Sequence, residues 1–172
     1  MKNNHLFVAI ILVCSMAVEN KTNAQTSKNV SFLTNAKTME KTLSIFESSG
    51  SINIRAMRDF KKYYPNVDGE KWYSFRDGFA VKFNEANIPH MITYNRIGNW
   101  QYSIAYYGEK KLPEDVRAQV KSTYYDYSIT MVEEIKAHQQ TVYLVHMQDE
   151  FTWKILRISD GEMSIIEDFN KN

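Results

Sequence analysis

One cysteine, three prolines and six glycines are all that 172 residues contain of the types that staple, kink or loop a chain. The cysteine is Cys14, inside an N-terminal apolar run, so the remainder has no disulfide and no thiolate to offer a metal. So little glycine and proline excludes a collagen or a low-complexity chain. No glycine falls in a Gly-x-Gly-x-x-Gly or Walker phosphate loop, and there is no Gly-x-Ser-x-Gly elbow. Neither sign of charge dominates: 21 Lys and Arg face 20 Asp and Glu, without the basic field that nucleic-acid binding by bulk charge needs. The doublets Lys61-Lys62 and Lys110-Lys111 are short and isolated, and read as solvated ends of elements.

Long apolar runs are also missing. The run Leu6 to Ala17 is shorter than the ~20 residues a membrane-spanning helix requires. It follows Lys2 and precedes the small-residue site Thr22-Asn23-Ala24, which is the grammar of a secretory signal peptide over residues 1–24. Cleavage after Ala24 would leave 148 residues with 19 charges of each sign. A lipoprotein reading would make Cys14 the acylated residue, but Leu12-Val13 sets a branched side chain where such sites want a small one. The expected address is exported, periplasmic or secreted.

What the chain does have is aromatic residues, 13% of the total, with 11 Tyr, 9 Phe and 3 Trp. They do not begin at once. Residues 25–51 are rich in Thr, Ser, Asn and Lys, a polar lead in which Met39, Leu43 and Phe46 mark one short candidate helix between Thr38 and Ser48. From Asn53, the spacing of Ile54, Met57, Phe60 and Tyr64 predicts a helix stopped by Pro65. Four strand-like runs follow at 70–76, 78–86, 88–96 and 99–107, with turns at Asp77-Gly78 and Gly98-Asn99. Pro89 fits the start of the third run or an edge.

The same order then returns. Leu112-Pro113-Glu114-Asp115 opens a second helix, with proline suited to the first turn and two acids at the positive helix end, running to about Tyr124-Tyr125. Runs at 129–137, 141–148, 151–158 and 162–169 follow, punctuated by His138-Gln139-Gln140, Asp149-Glu150 and Asp160-Gly161. Ile54-Arg55-Ala56 precedes Val116-Arg117-Ala118 by 62 positions, and Tyr63-Tyr64 precedes Tyr124-Tyr125 by 61. The expectation is an α+β fold: a tandem αββββ repeat, about 52–108 and 112–169, with an antiparallel sheet and two helices on one face. Trp100, Tyr102, Ile104 and Tyr106 read as one bulky face of a strand opposed by Gln101, Ser103 and Ala105. The sixth strand is apolar on both faces and belongs toward the sheet centre.

In the segment Arg55-Ala56-Met57-Arg58-Asp59-Phe60 ending in Tyr63-Tyr64-Pro65, in Lys71-Trp72-Tyr73 before Asp77-Gly78, and in Leu112-Pro113, the chain resembles the PepSY-like, β-lactamase-inhibitor-like exported proteins of Gram-negative bacteria. The resemblance covers about Ile52 to Phe169 and implies two helices on one side of a curved sheet whose other side stays available. In the inhibitors that name the fold, that aromatic surface grips an enzyme, and related PepSY modules are associated with restraining peptidases. The matched positions are framework positions, so no inhibitory residue set carries over.

Catalytic signatures are sparse. His90, His138 and His146 show no His-Glu-x-x-His spacing, so no metal or cofactor site is expected. His146 reads as packed or hydrogen-bonded, His90 and His138 as exposed. The pairs Glu133-Glu134, Asp149-Glu150 and Glu167-Asp168 alternate faces along a strand or sit in turns, and read as solvated. Residues 66–70 lack the repeated acidic ligands of a calcium loop and read as a turn.

No catalytic residue is therefore nominated. The candidate partner-binding residues are Trp72, Tyr73, Tyr94, Trp100, Tyr102, Tyr106 and Trp153, all in predicted strands, some core and some on the open sheet face. The leading expectation is a non-enzymatic binding module for a protein or peptide of the cell envelope. Two alternatives stand beside it: a carrier or sensor of a small apolar ligand held between sheet and helices, and a hydrolase using acids near Glu133 and Glu167.

Overall fold

The computed structural model describes residues 51–171. The expected signal peptide over residues 1–24, the polar lead up to residue 50 and the candidate helix between Thr38 and Ser48 lie outside the described residues.

The first helix, α1, spans Ile54–Tyr63 and is followed by strands β1 (Lys71–Phe75), β2 (Gly78–Glu85), β3 (Ile88–Asn95) and β4 (Trp100–Tyr107). A single 3-10 turn at Glu109–Lys111 leads into α2 (Glu114–Thr123), then β5 (Ser128–Ala137), β6 (Gln140–Gln148), β7 (Thr152–Ser159) and β8 (Glu162–Asn170). All eight strands form one antiparallel sheet in chain order, each paired with its sequence neighbours. Short turns connect the strands within each half. Ala86 and Asn87, at φ +48° and +62°, close β2 onto β3 without a glycine, which is why the expected second strand ran on to Ala86.

Local chemistry accounts for the helices. Asn53 caps α1: its Oδ1 accepts the Arg55 N–H at 2.9 Å, while its Nδ2 donates to the Arg96 carbonyl at 3.1 Å and ties the helix start to the β3–β4 turn. Lys61 and Lys62 sit in the last turn of α1, at the negative end of the helix. Pro113 precedes α2 with φ −50°, and Glu114 and Asp115 occupy its first turn. Both helices end alike. Tyr64 (φ −128°, ψ 61°) donates its N–H to the Phe60 carbonyl, and Tyr124 (φ −124°, ψ 56°) to that of Val120. Lys61 Nζ donates to the Val67 carbonyl at 2.9 Å and Lys121 Nζ to that of Tyr127 at 2.6 Å.

These equivalences relate the helices by 60 positions, not the 61 and 62 read from matching identities. Burial fixes the register: Ala56 and Phe60 point into the sheet from α1, as Val116 and Val120 do from α2.

The two helices cover one face of the sheet through two clusters that share no residue. Ala56 and Phe60 pack with Val81, Phe83, Ile92 and Tyr94 of β2 and β3. Val116 and Val120 pack with Val132, Val145, Met147, Leu156 and Ile158 of β5 to β7. The other face carries its own buried apolar residues, among them Met91, Ile104, Ile135, Val142, Leu144 and Ile155. Apolar on both faces, β6 does lie inside the sheet, with Val145 and Met147 under α2 and Val142 and Leu144 on the reverse.

Candidate functional site

Strand register divides the seven nominated aromatic residues between the two faces. Trp72 is paired with Val81 and packs in the α1 cluster, as do Tyr94 and Trp100. Tyr94 is only 1% exposed, and burial followed by the Asp59 carboxylate raises its hydroxyl pKa. These three leave the candidate set for a partner on the helix-free face, because they stand on the side that α1 covers. Tyr73, Tyr102, Tyr106 and Trp153 lie on the reverse face. Tyr73, Ala80, Thr93 and Tyr102 form one row across β1 to β4, so two tyrosines bracket two small side chains.

The separation of Trp100 from Tyr102 departs from simple alternation. Between β3 and β4 the register shifts at Thr93/Tyr94: Thr93 faces Tyr102 and Tyr94 faces Trp100, leaving Gln101 as an extra residue. This bulge turns Trp100 toward α1 and leaves Tyr102, Ile104 and Tyr106 on the reverse face. The bulky side of β4 therefore faces away from the helices, and its small side, Ser103 and Ala105, lies on the helix side. Two aromatic residues were missed. Phe75 is in the strand row of Tyr73, and Phe169 stacks on Trp153 with ring centroids 4.3 Å apart at 19°. Phe169 is 41% exposed.

The acids are less scattered than expected. Glu133 points to the reverse face, is 4% exposed, and its Oε1 is 2.9 Å from His146 Nε2. Glu167 is paired with Ile155, which is itself paired with His146, so imidazole and second carboxylate share that row. Burial raises the Glu167 carboxyl, His146 opposes that shift and Glu133 adds to it. Thus neither Glu133 nor Glu134 is a solvated surface acid. Glu134 points the other way and pairs with Lys136 at 2.7 Å. Sequence hides the Glu133–His146 contact because it depends on the β5–β6 turn. That turn is the two residues His138-Gln139, with His138 at φ +53° and Ala137 facing Gln140. A turn of three would shift the register.

Asp149 is structural: its Oδ1 accepts the N–H groups of Thr152 and Phe151, in that order of effect, and its carboxyl is pulled down to about 2. His138 is exposed as expected, whereas His90 is half-buried against Phe83, their rings 5.1 Å apart at 12°. The three histidines join no metal-binding group among the described residues.

Because burial raises Glu167, its charged form is disfavoured in the folded chain. Its contribution favours folding most below the unfolded carboxylate range and is lost as pH rises through the folded value. Glu167→Gln is therefore expected to raise the thermal midpoint at pH 7. The gain should vanish below about pH 4, where the acid is protonated folded and unfolded alike. Melting curves across pH 3 to 8 check it, and a midpoint lowered at pH 7 would mean that the charge is needed.

No protein-family model and no curated protein sequence matches the chain. Solved structures do. A BLIP-like protein of Bacteroides fragilis superposes with a TM-score of 0.58 at 17% identity, covering 71% of this chain and 88% of that one. A DUF2874 family protein of Bacteroides ovatus gives 0.59 at 16% identity, covering 71% and 89%. A protein of Bacteroides eggerthii predicted to be periplasmic gives 0.54 at 15%, covering 70% and 90%. The fold is α+β and BLIP-like.

Proposed function

We propose that this chain is a non-enzymatic, exported binding module that offers the helix-free face of its sheet to a protein or peptide of the cell envelope, restraining a peptidase or another envelope enzyme. The observation that carries this reading is the register that sets Tyr73, Tyr102, Tyr106 and Trp153 on that single face, around the apolar centre of Ile104, Ile135 and Leu144. Tyrosine and tryptophan give large contact area with a polar edge, the residue types enriched where truncation costs most binding energy. The BLIP-like neighbour supports such a use of the sheet. The signal-peptide grammar of residues 1–24 and the periplasmic expectation for the Bacteroides eggerthii neighbour support export. No helix among the described residues is long and apolar enough to cross a membrane. The matching helix ends at Tyr64 and Tyr124 support descent of the two halves from one duplicated unit.

A photo-crosslinking residue replacing Trp153 or Tyr102 in the exporting host is expected to trap a defined partner, whereas the same residue at Met57, 43% exposed on α1, should not. Trp153→Ala should weaken binding of the isolated partner by about 30-fold. Adducts at Met57 alone, or unchanged affinity, would reject the reading.

A second reading, acid–base hydrolysis, is favoured by one observation: His146 lies 2.9 Å from Glu133 and shares a row with Glu167, whose carboxyl is raised. It requires a hydrolytic turnover that His146→Asn abolishes.

A further inference from the structure

The helix side holds a second feature, apart from the helix-free face of the sheet. The floor of β4 on that side runs Trp100, Ser103, Ala105, Tyr107: aromatic at both ends and small in the middle. The α1 cluster takes the Trp100 end and the α2 cluster takes Tyr107. Ser103 and Ala105 are partly exposed, although Ile92, the β3 partner of Ser103 on the same face, is buried, and the other flanking positions are His90, Glu134 and Lys136. A trough thus runs along β4 between the two helix-covered halves.

Its walls are polar and aromatic. His90, Ala105, Glu134 and Tyr143 form one row across β3 to β6, so an imidazole and a carboxylate stand two strand spacings apart, about 10 Å, over the Ala105 methyl. Glu134 accepts the Tyr107 hydroxyl at 2.6 Å and pairs with Lys136 at 2.7 Å. Burial alone would raise its carboxyl, but these two partners outweigh that and hold it below the ordinary range. Burial lowers His90, keeping the ring neutral, and Tyr64 closes that wall with its ring 6.5 Å from the imidazole. The other charges acting on these groups are Glu85, Lys111 and Asp115, all exposed. The half-buried Glu134 carboxylate is thus neutralised by the exposed Lys136 ammonium.

We propose that this trough is a binding site for an uncharged, polyhydroxylated ligand of one or two sugar rings. Along the strand, Trp100 and Tyr107 are about 20 Å apart, which accommodates that length. An ionic ligand would find the Glu134 carboxylate and the Lys136 ammonium already paired with each other. Tyrosine hydroxyls and a neutral imidazole both donate and accept hydrogen bonds, and the C–H face of a pyranose suits the negative face of an aromatic ring.

The test is an NMR titration of the expressed full chain with four neutral disaccharides, maltose, cellobiose, lactose and N,N′-diacetylchitobiose, each to about 20 mM, a range that captures millimolar affinity. Saturable shifts of the Trp100 indole and the His90 ring are expected with at least one of them, and not with glucuronate. Ala105→Phe, which fills the trough, should abolish the shifts while moving the thermal midpoint by less than about 3 °C. The proposal is overturned if none of the four moves Trp100 or His90, or if glucuronate binds more tightly. A fall of more than about 10 °C in Ala105→Phe would also overturn it, since the floor would then be packed rather than open. Binding of a protein to the reverse face is unaffected by any of these outcomes.

Discussion

Gly78→Ala is expected to lower the stability of the domain by about 4 kcal/mol or more, with a fall of some 15 °C or more in thermal midpoint. A Cβ at Gly78 would lie 1.9 Å from the Tyr94 carbonyl oxygen and 2.9 Å from the Asn95 Cα. Both obstacles are backbone, so no side-chain rotation relieves the clash. Relief requires β2 to separate from β3 at the pair Gly78 and Asn95, and Gly78 also faces Phe75 of β1. The hairpin that carries Tyr73 would be displaced with it. Gly108→Ala is the matched control. Nothing lies within 4 Å of a Cβ there and φ is −91°, so its stability should stay within about 0.5 kcal/mol of the parent. Paired thermal melts decide the matter, and a Gly78→Ala protein that melts with the parent would disprove the close approach.

The second large effect is Phe60→Ala, expected to cost about 3–5 kcal/mol and to lower the midpoint by about 10–20 °C. Phe60 is fully buried and makes edge contacts with Phe83 at 5.0 Å and Trp72 at 5.6 Å, besides stacking on Tyr64 at 5.4 Å. One ring therefore joins α1 to β1 and β2. Its counterpart in α2 is Val120, also fully buried. Val120→Ala removes only two methyl groups, and its cost should be about 2 kcal/mol. Chemical denaturation of both variants, read by near-ultraviolet circular dichroism, should show the aromatic signal of the first half lost in Phe60→Ala alone. Equal losses in the two variants would mean that the halves are not anchored as the packing implies.

Much of this architecture was legible from local pattern. Pro65 and the Leu112-Pro113 pair bound helices because proline restricts its own backbone and that of the residue before it. Asp160-Gly161 marks a hairpin because both residues take positive φ there, +53° and +78°. Where the turn holds no glycine, as at Ala86-Asn87 and His138-Gln139, it was misjudged by a residue. In a strand one residue reverses the face of every side chain beyond it. That small error hid the meeting of Glu133 with His146.

What the amino-acid sequence determined by itself was therefore the order of two helices and eight strands. Those rest on interactions between residues close in the chain: capping, turn chemistry and alternation. The division of aromatic residues between faces was decided only by the tertiary structure. The bulge at Gln101 parts Trp100 from Tyr102 although their spacing predicts one face. A bulge exists only between two paired strands, so neither strand's own pattern announces it. The trough over Ser103 and Ala105 is likewise a property of where two helices separated by 60 positions come to rest on one sheet. Its row of His90, Glu134 and Tyr143 comes from three strands that meet only when the sheet is assembled.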